Sequence, residues 1–223
     1  MKKMLVAAAL AATSLSAVPA NAAITWTDWT QTSTVGSTTT VIGNAGGTGV
    51  TFTGNGVAFV QTSGGTDYWH TGNAWDSTVA APTGSDIIAL DAAGTKTITF
   101  SSAVQTAYIA LMSWQGQSFT STSNFSFVGL VRGCGYWGCG TPTTVTANSF
   151  TTGGELHGVI QFSGPITSIQ FVDGTNENWH GITVGIDNSA VPEPATWAMM
   201  IGGFGAIGGA MRMRRRRTSL ATA

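Results

Sequence analysis

From residue 24 to residue 188 apolar and polar residues alternate, and that period of two constrains the fold more than any other feature of the chain. Successive side chains of a β-strand point to opposite faces, so a strand with one wet and one buried face must alternate. The pattern is clear in Ile24-Thr25-Trp26-Thr27, Val50-Thr51-Phe52-Thr53, Thr97-Ile98-Thr99-Phe100, Asn124-Phe125-Ser126-Phe127-Val128 and Ile166-Thr167-Ser168-Ile169-Gln170-Phe171. No window in this stretch sustains a 3.6-residue period over three turns. Gly43-Asn44, Asn55-Gly56, Gly153-Gly154 and Asp173-Gly174 punctuate the strands at short spacings, as hairpin turns do. About ten to twelve short antiparallel strands are expected, in an all-β sandwich or jelly-roll-like domain. The continuous apolar run Tyr108-Ile109-Ala110-Leu111-Met112 is the candidate central strand. Residues 31–49, rich in Ser, Thr and Gly, read either as strand and loop or as poorly ordered chain. Residues 67–85 read as a long excursion.

Abundant Gly, Ser and Thr with few charges would also suit a disordered chain. Disordered chains lack aromatic and β-branched residues because they cannot bury enough apolar area to offset ordering entropy. Eight Trp and ten Phe argue for a folded domain. Its charge is one-sided. Between residues 23 and 190 only Lys96 and Arg132 are basic, against Asp28, Asp67, Asp76, Asp86, Asp91, Glu155, Asp173, Glu177 and Asp187, a net of −7 with histidines neutral. Such a surface repels phosphate backbones, which excludes nucleic acid as a partner.

The remaining basic residues sit at the two ends. Residues 1–22 combine basic Lys2 and Lys3, an apolar stretch from Met4 to Ala12 and Ala20-Asn21-Ala22. These are the three parts of a signal peptide, with cleavage expected after Ala22. At the other end, fifteen residues from Trp197 to Met211 carry no charge and precede Arg212 and Arg214, Arg215, Arg216 and Arg217. As a helix they would span roughly 22 Å, short of the ~30 Å hydrocarbon core, with snorkelling arginines making up part of the difference. The arginines place that end in the cytoplasm by the positive-inside rule. The signal peptide independently puts the β domain on the far side. Within the span, Gly205 and Gly209 have the spacing that permits close helix contact. The expected organisation is a signal peptide (1–22), a β ectodomain (23–190), a sorting and membrane segment with a single transmembrane helix (191–217) and a short tail (218–223).

Pro192-Glu193-Pro194, then Trp197-Ala198, a glycine-rich apolar span and an arginine-rich end resemble the PEP-CTERM sorting domain in its PEPxxWA form. The resemblance covers about the last thirty residues. It implies recognition by exosortase, an integral-membrane cysteine peptidase of Gram-negative bacteria that make exopolysaccharide. Processing is expected near Pro192-Glu193-Pro194, from an inner-membrane precursor with a periplasmic ectodomain to a product at the cell surface or outside. Each proline fixes φ and disfavours helix in the residue before it, so this motif should be extended and accessible. The central domain, above all residues 177–187, is similar to ectodomains that often precede this tail, and no defined activity comes with that similarity.

Cys134 and Cys139, the two cysteines of the chain, are separated by four residues rimmed with glycine. In an oxidising compartment this reads as a loop closed by a disulfide, worth roughly 2 kcal/mol in the chain-entropy model. Zinc would need further ligands, and redox motifs usually have two intervening residues. Nucleophile-elbow, zinc-protease, phosphate-loop and EF-hand motifs are all lacking; no catalytic residue, metal or cofactor is assigned. The candidate ligand patch is Asp67, Trp69 and His70 with Glu177, Trp179 and His180, two Trp-His pairs each beside a carboxylate. If the loops converge, aromatic faces and acids would suit a sugar; otherwise the tryptophans cap the sheet and the histidines bond to loop backbone. The leading expectation is a non-enzymatic surface or matrix protein associated with the envelope or exopolysaccharide. A lectin-like module comes second, followed by an ice-binding protein carrying a regular Thr array and by a secreted hydrolase.

Overall fold

The computed structural model describes residues 24–70, 74–75, 79–132, 138–187, 200–205, 207–208 and 212. The signal peptide expected over residues 1–22 lies outside the described residues. So do Pro192, Glu193, Pro194, Trp197, Ala198 and Arg214 to Arg217. Thirteen strands follow in order: β1 (Ile24–Trp26), β2 (Asp28–Val35), β3 (Thr38–Ala45), β4 (Thr48–Gly54), β5 (Val57–Gln61), β6 (Ala74–Trp75) and β7 (Ile87–Leu90). Then come β8 (Gly94–Gln115), β9 (Ser118–Ser121), β10 (Ser126–Arg132), β11 (Gly140–Val145), β12 (Ser149–Asp173) and β13 (His180–Asp187). The all-β expectation holds, and every pairing is antiparallel.

The strands form one connected sheet where two separate sheets were expected. The reason is the length of β8 and β12, 22 and 25 residues, which pair with each other almost throughout. The N-terminal part of β8 pairs with β4, and its C-terminal part pairs with β13. Register shifts between Ser163 and Ile166 and between Ile166 and Ser168 bend the ribbon, as β-bulges do. The single sheet thereby curls on itself into a barrel-like form around one core.

That core joins Trp29, Val41, Val50, Phe52, Ile98 and Phe100 of one half to Leu111, Ile109, Ile160, Phe162, Ile182 and Val184 of the other. A second cluster, including Trp69, Val79, Ile87, Ala110, Met112 and Val159, covers the opposite face of the β7–β13–β8 half. The described residues of the 67–85 segment supply Trp69 and Val79 to that cover. Strands buried on both faces have no wet side, so the alternation disappears there. This accounts for Ile109 to Met112 being fully buried in the run from Tyr108, and for the unbroken burial of His180 to Ile186. Residues 31–49 prove to be hairpin. Gly36, at φ 62°, opens the two-residue turn between β2 and β3. Gly46 and Gly47, at φ 54° and 92°, fill the next turn, where Asn44 Oδ1 accepts the Gly47 N–H at 2.8 Å.

At the C-terminus residues 200–205, 207–208 and 212 are helical and, wherever burial is described, exposed. Among the described residues no helix is long and apolar enough to cross a membrane, so the continuous transmembrane helix expected over 197–211 is not seen there.

Candidate functional site

The two loops of the candidate patch do converge, through Trp179 of the patch and Tyr68, which was not assigned to it. Tyr68 and Trp179 meet edge to face with ring centroids 5.1 Å apart, and Phe59 of β5 closes the corner at 5.2 Å from Trp179. All three rings are half-buried. Asp67 shapes its own loop, accepting the Trp69 and His70 N–H groups at 3.1 and 3.2 Å. The same carboxylate meets His70 Nδ1 at 2.8 Å in an exposed pair. Trp69 is turned inward and fully buried, its indole N–H donating to the Asp86 carbonyl at 3.0 Å. It is a core residue, not a ligand platform.

His180 is likewise buried. As the first residue of β13 it faces Trp114, ring centroids 4.3 Å apart, and Asp173, whose Oδ2 lies 3.2 Å from Nε2. Glu177 Oε1 lies 2.6 Å from His180 Nδ1, an ion contact off the direction of an aligned hydrogen bond. Burial alone would push the imidazolium pKa down. The Asp173 and Glu177 carboxylates outweigh it, and the net shift is upward. Asp173 Oδ1 then accepts from Lys96 Nζ at 2.5 Å and from the Gly94 N–H at 2.8 Å. Lys96 Nζ also donates to the Ala92 carbonyl at 2.6 Å. Lys96, Asp173 and His180 are all fully buried. A buried charge persists only when paired and hydrogen-bonded, and here two acids and two bases alternate along one chain.

A second polar group lies across the end of β8. Ser113, at φ 59°, is the only non-glycine residue with positive φ among those described. Its N–H donates to His157 Nδ1 at 3.0 Å, and its hydroxyl donates to Glu155 Oε2. An accepting Nδ1 leaves the proton on Nε2, which donates to the Gly138 carbonyl at 3.3 Å. Burial holds the His157 pKa below its ordinary value, against the effect of that bond. Glu155 is shifted up, first by desolvation, with the Ser113 bond opposing and the charge of Glu177 adding to the rise. Among the described residues no three His, Cys, Asp or Glu side chains are placed to hold a metal ion. Cys134 lies outside the described residues; Cys139 begins the approach to β11, and no cysteine among those described is free.

The outer face of the β2–β3–β4–β8–β12 half is neutral and hydroxyl-bearing. Directly paired residues share a face, so Ser33, Thr40, Thr53, Thr97 and Gln170 form one cross-strand row. Gln31, Ile42, Thr51, Thr99 and Ser168 form the next. Ser168 also lines an open groove of about 550 Å³ between residues 122–124 and 162–168, walled by Ser, Thr, Asn, Gly, Pro, Ile and Phe.

Taken together these features define an all-β domain with a neutral polar face and a buried chain of paired charges. Residues 190–217 match the PEP-CTERM protein-sorting motif, and substrate status for an exosortase follows from it. The motif marks an exported protein carrying a membrane-associated sorting signal. No curated protein and no solved structure matches the chain.

Proposed function

We propose that this protein is a non-enzymatic component of the cell envelope or extracellular matrix, delivered through exosortase and associated there with exopolysaccharide. The sorting motif at residues 190–217 carries the reading. The hydroxyl rows and the adjoining groove support the glycan part, because neutral sugars offer hydroxyls that neutral donors and acceptors can match without desolvating a charge. In this reading residues 197–211 hold the precursor in the inner membrane as a short helix, the arginines stop it from being pulled through, and Cys134 and Cys139 are bonded. A lectin-like module is the second reading. It is favoured by the Phe59–Tyr68–Trp179 corner beside the exposed Asp67–His70 pair.

The test of sorting uses tags after Ala190 and at Ala223 in hosts with and without exosortase. The tags are expected to separate only when exosortase is present, and alanines at Pro192-Glu193-Pro194 should hold the full-length form in the membrane. Both tags on one membrane species in the exosortase-positive host would refute it. Binding of the purified ectodomain to an array of neutral and acidic glycans tests the ligand. Binding lost in Tyr68→Ala but retained in Thr97→Ala would favour the lectin-like corner over the hydroxyl face.

A further inference from the structure

Three free edges among the described strands are closed to further pairing in different ways. β11 carries Pro142 and a register shift between Pro142 and Thr144. β5 shifts register between Val57 and Phe59, and β6 has only two residues. Proline, bulges and shortness are the usual defences of an edge strand. β2 has its irregularity at the start, between Trp29 and Gln31, where Asp86 Oδ2 also takes the Trp29 N–H at 2.8 Å. From Gln31 to Val35 it pairs regularly with β3. It has no proline, and no charged residue stands between Asp28 and Asp67.

The turn fixes which groups are open. A two-residue hairpin closes on a hydrogen-bonded pair, here Val35 and Thr38, and bonding alternates back along the strand. Ser33 and Gln31 therefore bond to β3, while Thr32 and Thr34 turn their N–H and C=O groups outward. Among the described residues no strand pairs with that edge. Thr32 and Thr34 share a face with buried Val41 and Thr39 yet are themselves exposed, so β2 overhangs the core. Val35 is 82% exposed.

We infer that β2 is a homotypic docking edge, pairing antiparallel with β2 of a second copy of this chain about a two-fold axis at Ser33. Backbone donors and acceptors in strand geometry call for another strand. This strand is its own match, because the axis sets Thr32 opposite Thr34 of the second copy and the reverse, closing four hydrogen bonds. Two domains of net charge −7 meet with least repulsion along an uncharged edge. The arrangement is isologous and consumes the edge, so it stops at a dimer.

Ser33 is a non-hydrogen-bonded pair with itself across the axis, with Cβ atoms about 4.5–5.5 Å apart, close enough for a disulfide to form with slight adjustment. Full-length Ser33→Cys protein, exported in a host lacking exosortase, is expected to run as a disulfide-linked dimer on a non-reducing gel. Val145→Cys, at an exposed position on defended β11, carries the same tail and should remain monomeric. Thr34→Pro in the Ser33→Cys background removes an outward N–H and the 3.0 Å hydroxyl contact with Thr39, leaves the backbone ladder to β3 whole, and should reduce the dimer at least tenfold. If Thr34→Pro is not exported, Thr34→Lys serves instead. A Ser33→Cys dimer no more abundant than that of Val145→Cys, or one indifferent to the Thr34 changes, would overturn the inference.

Discussion

Lys96→Met removes one cation from a fully buried chain of charges and refills nearly the same volume. Removing one partner of a buried ion pair typically costs 3–5 kcal/mol, because the other charge stays behind. Here Asp173 keeps the Gly94 N–H at 2.8 Å and His180 at 3.2 Å. The loss should therefore fall at the lower end, about 3 kcal/mol, equivalent to roughly 6–12 °C in Tm for a domain of this size. Urea titration of the ectodomain followed by tryptophan fluorescence measures it directly, with an unchanged m-value showing that only stability has moved. Asp173→Asn should cost a comparable amount, since it strips the shared anion from Lys96 and His180. The double variant should cost less than the two singles together, by more than about 1 kcal/mol. A Lys96→Met ectodomain within 1 kcal/mol of wild type, or strict additivity in the cycle, would show that the buried pair is not what stabilises this end of the domain.

Three other outcomes follow from the same geometry. The His180 pKa is raised above 6.5 in the folded state, so its stabilisation is complete below about pH 6.5 and is lost as pH rises through the folded value; His180→Gln should abolish that part of the slope, and an unchanged difference between the two proteins from pH 6 to 9 would contradict it. Glu155 is shifted up from 4.5, so its ionisation opposes folding as pH rises from about 4.5 through the raised value. Glu155→Gln, still an acceptor for Ser113, should raise the urea midpoint at pH 7 and lose that advantage at pH 4. Gly140→Ala would place a Cβ 2.5 Å from the carbonyl carbons of Glu155 and Gly154; backbone cannot yield there without opening the β11–β12 ladder, so a loss of about 1–3 kcal/mol in urea unfolding is expected, and a neutral substitution would argue against that register.

Much of the fold was legible because alternation reports one wet face, and its disappearance from Tyr108 to Met112 reports two dry ones. The single curled sheet was not legible. Gly153-Gly154 reads as punctuation between strands, whereas it lies inside the 25-residue β12. In the two candidate loops Tyr68 and Trp179 come together, while alternation between neighbours sends Trp69 and His180 inward. The buried network did leave a signal. Lys96 falls in phase with Ile98 and Phe100, and Asp173 with Phe171 and Ile169, so each is a charge on the apolar phase of its strand. Pairing the two across 77 residues needed the β8–β12 register. The positive φ of Ser113 has no counterpart in the sequence.

β13 is the last of the thirteen strands, yet it lies between β8 on one side and β1 and β7 on the other. Until residue 187 has emerged from the export channel, the middle of the sheet is vacant and the faces of β7 and β8 have nothing to close on. Folding of the domain is therefore a late, concerted event that follows translocation of nearly the whole chain, as expected where distant pairings dominate. Only four residues separate Asp187 from Pro192, at most about 18 Å from one to the other in extended chain. A load on the sorting segment is transmitted straight into the strand with neighbours on both sides. The hydrogen bonds along β13 must then shear together for the domain to yield.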